Sequence, residues 1–218
     1  MSLNTFDLYL FGGTGDLSNR KLIPAMFRQE TLSSICTESN IIGIGSRNLT
    51  TDEYVEMVKD SLQKYFPNFD QHKDTWKLFS ARISYIQIDI NSDEGWNNLK
   101  EISADRAVIY YLATPPNLYK RISSALNEFN LIKENCRVVV EKPIGTDLNT
   151  AKEINDSLAT GFNESQIYRI DHYLGKEAVQ NLLALRFGNT IFEQSWSNSA
   201  IDHIPVSYTH LTLPTKRI

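Results

Sequence analysis

The chain contains few cysteines and no long hydrophobic run. Its 218 residues include only Cys36 and Cys136, which do not form a Cys-x-x-Cys motif. Since the amino terminus also lacks a secretion signal, this pattern predicts reduced thiols in a cytoplasmic protein. No segment approaches the roughly 20 apolar residues that a membrane helix needs, so no membrane partner is expected.

Basic charge is also scarce. The 22 Lys and Arg residues are outnumbered by 26 Asp and Glu residues, which leaves a formal net charge of −4. Nucleic-acid-binding domains usually carry a basic excess, so no nucleic-acid partner is expected. With 41% hydrophobic and 22% charged residues, the composition is that of an ordinary globular protein. The length predicts one full domain and the start of a second.

Apolar runs alternate regularly with helix-like segments. Six runs predict β-strands, at residues 6–11, 41–44, 83–88, 107–112, 137–140 and 166–170. Helices are predicted between them, at residues 17–29, 51–66, 93–103, 116–129 and 147–159. Nearly continuous apolar runs suit strands that are buried on both faces of a parallel sheet. The alternation therefore predicts an α/β fold with a doubly wound, Rossmann-type parallel sheet.

The pattern changes after residue 175. An amphipathic helix is predicted at 176–187, where Gly188 ends it, and a strand with Phe192 and Trp196 is predicted at 190–197. We expect a first domain at 1–174 and the truncated start of an α+β second domain at 175–204. Residues 205–218 are interpreted as a non-native tail, and a divergent natural end is the alternative.

A glycine-rich turn follows the first predicted strand directly. Glycines allow a tight turn and the close approach of a pyrophosphate, and the following helix offers free N–H groups and a positive dipole end. A strand–helix turn without a ligand is the alternative, but the position after the first of six strands favours dinucleotide binding. The candidate residues are Gly12, Gly13, Thr14, Gly15, Asp16 and Leu17.

The end of the second predicted strand indicates which dinucleotide binds. An NAD site usually places a carboxylate there to hold the ribose hydroxyls. Here Ser46 and Arg47 occupy that place. A guanidinium suits a phosphate because of its fork of donors, which favours NADP. An arginine that is merely solvated in a loop is the alternative.

Two further polar clusters follow the fifth and sixth predicted strands. Lys142, in Glu-Lys-Pro, stands where a lysine can hold a phosphate or a sugar hydroxyl, although a plain surface charge is the alternative. The second cluster begins with Asp171-His172-Tyr173 and continues to Lys176. Taken alone, these residues nominate His172 as a general base. The alternative is a helix-capping Asp171 beside a surface histidine. No metal ligand is assigned.

In this order the motifs resemble the glucose-6-phosphate dehydrogenase family. The resemblance runs from about residue 5 to about residue 204, and its most specific part is Arg-Ile-Asp-His-Tyr-Leu-Gly-Lys-Glu at 169–177. It implies a dinucleotide domain, a larger second domain and, for the full-length form, a homo-oligomer. The implied reaction transfers a hydride from carbon 1 of glucose 6-phosphate to NADP and gives 6-phosphogluconolactone, the first step of the pentose phosphate pathway.

The resemblance also implies a role for each candidate residue. Gly12 to Asp16 would meet the coenzyme pyrophosphate, and Arg47 would meet the 2′-phosphate, with Leu17 and Ser46 also in the coenzyme site. Tyr119 resembles a coenzyme-contacting tyrosine. Lys142 would touch both coenzyme and sugar, and Asp171 would pair with the catalytic histidine of the family. Residues that would bind the sugar phosphate are His172, Tyr173 and Lys176.

One departure from the family concerns the catalytic histidine itself. In the family this base lies well downstream, in a motif that this chain does not contain, so we expect this chain to be inactive as it stands. Two other interpretations stay open. One is a different NAD(P)-dependent sugar oxidoreductase, since Glu-Lys-Pro also occurs there. The other is an NADP-binding module without catalysis.

Overall fold

The computed structural model describes residues 5–35, 38–102, 106–171 and 175–203. The chain divides into two compact units between Ile170 and Asp171. The predicted domain limits, 1–174, 175–204 and 205–218, remain a prediction. Among the described residues no helix is long and apolar enough to cross a membrane.

The first unit is built on a six-stranded sheet in which every neighbouring pair runs parallel. The sheet has the order β3-β2-β1-β4-β5-β6, so the chain reverses its direction of winding between β1 and β4. Such a reversal opens a crevice at the carboxyl ends of the strands. The predicted doubly wound fold is confirmed. The strands are β1 (Phe6–Phe11), β2 (Asn40–Gly45), β3 (Ile83–Gln87), β4 (Ala107–Leu112), β5 (Cys136–Glu141) and β6 (Ile167–Ile170).

Six helices of the first unit connect these strands. They are α1 (Ile23–Thr31), α2 (Thr51–Tyr65), α3 (Lys73–Ser80), α4 (Trp96–Ile102), α5 (Tyr119–Glu128) and α6 (Leu148–Gly161). A π-helical turn at Ser18–Leu22 leads into α1, and 3₁₀ turns lie at Phe69–His72, Pro116–Leu118 and Glu164–Gln166. Helix α2 begins with a capping box in which Thr50 and Glu53 each accept a hydrogen bond from the other's backbone amide.

Two hydrophobic cores cover the two faces of the sheet. On one face, Leu8 and Ile41 pack with residues of α1, α2 and α3, including Phe27. On the other face, Tyr9 and Ile42 pack with residues of α4, α5 and α6. Adjacent strand residues thus point to opposite cores, as period-two geometry requires. This double burial explains the continuous apolar runs in the sequence.

Helix α3 was not expected from the sequence. It contributes only one fully buried side chain, that of Phe79, whose ring packs edge-on against Phe27 at 5.3 Å between centroids. Because this long-range contact stabilises the helix, the local pattern around it is a weak guide.

The second unit contains the described helices α7 (Glu177–Phe187) and α8 (Thr190–Glu193). The predicted helix at 176–187 is confirmed, but its expected amphipathic character is not, and the strand predicted at 190–197 is wrong. Helical turns form there instead: the amide of Phe192 donates to the Asn189 carbonyl, and that of Trp196 donates to the Phe192 carbonyl, each at 3.1 Å. A strand needs a neighbour for its backbone groups, and residues 175–203 provide no other strand.

Candidate functional site

A cleft of about 240 Å³ lies at the carboxyl ends of β1 to β4, where the winding of the sheet reverses. Ligands of doubly wound folds bind at this point. The cleft is lined by Gly12, Thr14, Gly15, Gly45, Ser46, Ile88, Asp89, Ile90, Asn91, Ala113, Thr114, Pro115 and Leu118. The structure therefore brings the glycine turn and the end of β2, which the sequence singled out, into one site.

The glycine turn is held against the strands on both sides of it. Gly12 has a φ of +81°, and a Cβ there would lie 2.5 Å from the Ala113 carbonyl oxygen. Its own carbonyl accepts hydrogen bonds from the Gly15 amide at 2.9 Å and from the Ser18 hydroxyl at 2.8 Å. Only glycine fits this position, because both the conformation and the space exclude a side chain.

Groups around the turn remain available for a ligand. In the described part of the chain, the amides of Thr14, Asp16 and Leu17 donate no hydrogen bond. They lie at the start of a helix, where free N–H groups and the helix dipole attract anions. In the cleft wall the Thr114 hydroxyl is buried, and no described residue makes a hydrogen bond to it. These features fit the pyrophosphate and polar groups of a dinucleotide.

The end of β2 presents positive charge. Ser46 lines the cleft, and Arg47 follows it with an exposed side chain that pairs with no carboxylate of the described residues. The Tyr85 hydroxyl donates to the Arg47 carbonyl at 2.8 Å. Asp16, the acidic residue of the glycine turn, pairs with Arg20 instead, at 3.3 Å. Among the residues that the structure describes, no carboxylate therefore neutralises the guanidinium of Arg47.

Tyr119 lies beneath the cleft rather than in its wall. It is 1% exposed, and its hydroxyl lies 3.2 Å from the Glu141 carbonyl oxygen and 3.4 Å from that of Leu112. The same hydroxyl accepts a hydrogen bond from the Glu141 amide at 3.3 Å. Burial raises the pKa of Tyr119. The hydroxyl therefore joins the ends of β4 and β5, while the coenzyme contact expected of Tyr119 stays a prediction.

The Glu-Lys-Pro cluster stands at the end of β5. Glu141 is buried, and its carboxylate accepts a hydrogen bond from the Tyr111 hydroxyl. Burial is the main cause that raises the pKa of Tyr111, and this hydrogen bond raises it further. Lys142 is exposed, its peptide bond to Pro143 is cis, and it does not line the cleft described above. Its predicted roles toward coenzyme and sugar remain predictions.

The polar string at 169–177 extends across the boundary between the two units. In β6, Arg169 donates to the Glu164 carboxylate at 2.6 and 3.2 Å, which lowers the pKa of Glu164. Asp171 is the first residue of the second unit, and Lys176 occupies the N-cap position of α7. His172 and Tyr173 lie outside the described residues.

Asp89 and Asn91 line the cleft but were not expected there from the sequence. Both follow β3 on the cleft side, as Thr114 follows β4. Position after a strand is the signal that finds them, since every carboxyl end near the reversal point faces the same crevice. Among the described residues no group of histidine, cysteine and acidic side chains could hold a metal ion.

This parallel sheet, with a glycine turn and a helix start at its reversal point, defines a nicotinamide dinucleotide-binding domain of the Rossmann type. The family described as "Glucose-6-phosphate dehydrogenase, NAD binding domain" matches residues 9–181. The chain belongs to the glucose-6-phosphate dehydrogenase family, and the resemblance seen in the sequence is confirmed.

Curated relatives support this assignment. The chain is 41% identical over 205 residues to the glucose-6-phosphate 1-dehydrogenase of Rhizobium meliloti (strain 1021), a match that covers 93% of this chain and 42% of the relative. It is 43% identical over 208 residues to that of Gluconobacter oxydans (strain 621H), again covering 93% and 42%. The chain thus spans less than half the length of these relatives.

Solved structures agree. "Glucose-6-phosphate dehydrogenase in complex with its substrate glucose-6-phosphate" superposes with a TM-score of 0.82 at 36% identity, covering 91% of this chain and 43% of that one. The glucose-6-phosphate 1-dehydrogenase from Mycobacterium avium gives a TM-score of 0.79 at 33% identity, with the same two coverages.

Proposed function

We propose that this chain is the NADP-binding part of a glucose-6-phosphate dehydrogenase. The whole protein would oxidise glucose 6-phosphate at carbon 1 to 6-phosphogluconolactone. Family membership supports the reaction, and a structural relative is described with glucose-6-phosphate as its substrate. We also propose that the whole protein is a cytoplasmic homo-oligomer.

One observation carries the choice of NADP over NAD. At the end of β2, where an NAD site usually has a carboxylate, Arg47 presents a guanidinium that no described carboxylate neutralises. A 2′-phosphate can accept charge-assisted hydrogen bonds from this group. The amides of the turn from Gly12 to Leu17 would hold the pyrophosphate. Titration of the 218-residue chain with NADP and with NAD tests this choice, and equal affinities would contradict it.

The substrate would be held by residues that follow β5 and β6. Lys142 would bind a sugar hydroxyl and the coenzyme, while His172, Tyr173 and Lys176 would bind the sugar phosphate. Oxidation of a hydroxyl also requires a base to take its proton, and Asp171 would pair with such a base. NADP, when bound, accepts the hydride.

The substrate assignment is tested in the whole protein with Lys176→Ala and His172→Ala. Both variants should raise KM for glucose 6-phosphate more than for glucose, because glucose lacks the phosphate. Lys152→Ala, an exposed lysine of α6, is the control that should leave both constants unchanged. If His172→Ala instead lowers kcat equally for both sugars, His172 acts as the base, as its residue type alone would indicate.

A polypeptide limited to these 218 residues should bind NADP without turning over the sugar. Its match covers only 42% of the relatives' length, and a general base typically contributes about 10²–10⁴-fold to such a reaction. The check is NADPH formation, followed by absorbance, with purified folded chain and glucose 6-phosphate. Turnover by this polypeptide would overturn the expectation.

A further inference from the structure

Two tyrosine rings lie side by side next to the coenzyme cleft. Tyr54 comes from α2 and Tyr85 from β3, and their ring centroids are 5.0 Å apart with 32° between the planes. Tyr54 is 0% exposed and Tyr85 is 8% exposed. Gly43, the partner of Tyr85 in the ladder between β2 and β3, leaves room for this arrangement. A Cβ at Gly43 would lie 2.3 Å from the Tyr54 ring, so the tyrosine pair leaves no room for a side chain at this position.

The two hydroxyls reach different parts of the proposed coenzyme site. The Tyr54 hydroxyl donates to the Gly13 carbonyl at 3.3 Å, in the turn proposed to hold the pyrophosphate. The Tyr85 hydroxyl donates to the Arg47 carbonyl at 2.8 Å, in the loop proposed to hold the 2′-phosphate. Each tyrosine therefore supports one of the two phosphate-binding segments.

Few hydrogen bonds hold the loop that carries Arg47, although Leu49 packs against the core on the α1 side of the sheet. Between the end of β2 and the cap of α2, side chains make two described hydrogen bonds to the backbone. The shorter one is the bond from the Tyr85 hydroxyl to the Arg47 carbonyl. In the other, the side-chain amide of Gln87 donates to the Ser46 carbonyl at 3.3 Å. Since the Arg47 side chain is exposed and pairs with no described carboxylate, its backbone determines where the guanidinium can reach.

We propose that Tyr85 is a positioning residue for coenzyme selectivity. Its hydroxyl holds the Arg47 carbonyl, and the held backbone presents the guanidinium to the 2′-phosphate of NADP. Binding groups work best when supporting hydrogen bonds hold them to within about 0.5 Å, because less ordering is then required on binding. Tyr54 supports the pyrophosphate turn, which NAD and NADP share. This inference rests on the proposed NADP function.

Single tyrosine-to-phenylalanine variants of the 218-residue chain separate these roles by calorimetric titration. Tyr85→Phe should raise the Kd for NADP about threefold to tenfold, the equivalent of one neutral hydrogen bond, and change that for NAD by less than about twofold. Tyr54→Phe should raise both dissociation constants by a similar factor. Tyr110→Phe is the matched control: its hydroxyl donates to the Leu131 carbonyl at 2.8 Å, among core residues that do not line the cleft, and neither Kd should change.

A double variant makes the test independent of stability. In the background of Arg47→Ala, the additional change Tyr85→Phe should have no effect on the Kd for NADP, because the group that Tyr85 positions is gone. Thermal melting of each variant checks that Tyr85→Phe and Tyr110→Phe lose comparable stability.

The inference is overturned if Tyr85→Phe leaves NADP binding unchanged, or weakens NADP and NAD alike. It is also overturned if its effect persists in the Arg47→Ala background. Failure of the proposed function would look different: the unmodified chain would show no preference for NADP, or Arg47→Ala would not change it. A chain that prefers NADP through Arg47 but ignores Tyr85→Phe would contradict this inference alone.

Discussion

The amino and carboxyl ends of the sheet use their polar groups differently. At the amino ends, buried charges are paired: Asp7 accepts from Arg106 at 3.1 Å and from Asn40 at 2.8 Å, and Arg82 pairs with Glu30. At the carboxyl ends, no described residue supplies a carboxylate to Arg47 or a hydrogen bond to the buried Thr114 hydroxyl.

This difference separates stability from binding within one sheet. A buried charge that has lost its partner is costly, so the amino-end pairs are needed for the fold. A polar group without a protein partner adds nothing to the stability of the fold, but it is available to a ligand. We therefore expect substitutions of the amino-end pairs to lower stability without changing coenzyme affinity, and substitutions of Arg47 or Thr114 to change coenzyme affinity without lowering stability.

The largest effect is expected at the amino end. Glu30→Ala removes the carboxylate that pairs with the largely buried Arg82 side chain, and should lower the free energy of unfolding by up to about 3–5 kcal/mol. Urea unfolding followed by circular dichroism measures this loss. The control is Glu56→Ala, which removes an exposed partner of Lys59 and should cost about 0.5 kcal/mol or less. Equal losses in the two variants would show that the buried Glu30–Arg82 pair stabilises the fold no more than an exposed ion pair does.

Arg47→Ala should have the next largest effect, on binding rather than stability. It should weaken NADP by about 1.5–3 kcal/mol, the value of a charge-assisted hydrogen bond, and leave NAD nearly unchanged. Calorimetric titration measures both. Arg28→Ala, which removes another exposed arginine away from the cleft, should alter neither affinity. A loss shared by NADP and NAD would mean that Arg47 does not recognise the 2′-phosphate.

Thr114→Val should have the smallest effect on coenzyme affinity. Its effect on stability should not share the sign expected for Glu30→Ala. Removing a buried hydroxyl that has no partner should leave the free energy of unfolding unchanged or slightly raised. If a dinucleotide satisfies this hydroxyl, NADP and NAD should both bind about 0.5–1.5 kcal/mol more weakly. Thr114→Ser, which keeps the hydroxyl, should retain most of the affinity. Unchanged binding by Thr114→Val would remove Thr114 from the site.

Much of the carboxyl end could be predicted from sequence. Strands such as Phe6–Phe11 are apolar because both faces of the sheet are buried, and the glycine turn and Arg47 follow two of them directly. Contacts between residues that are far apart in the sequence were harder to predict. Neither the packing of α3 against Phe27 nor the burial of the Tyr119 hydroxyl between β4 and β5 leaves a local pattern. Residues 190–197 carry strand-forming aromatics, but without a neighbouring strand in the described unit they form helical turns.

The most direct test of the central proposal is the coenzyme preference of the 218-residue chain before and after Arg47→Asp. The unmodified chain should bind NADP at least about tenfold more tightly than NAD, the equivalent of one charge-assisted contact. Arg47→Asp replaces that contact by repulsion of the 2′-phosphate and provides an acceptor for the ribose hydroxyls, so NAD should become the preferred coenzyme. An unmodified chain without preference, or a variant that still prefers NADP, would contradict the account.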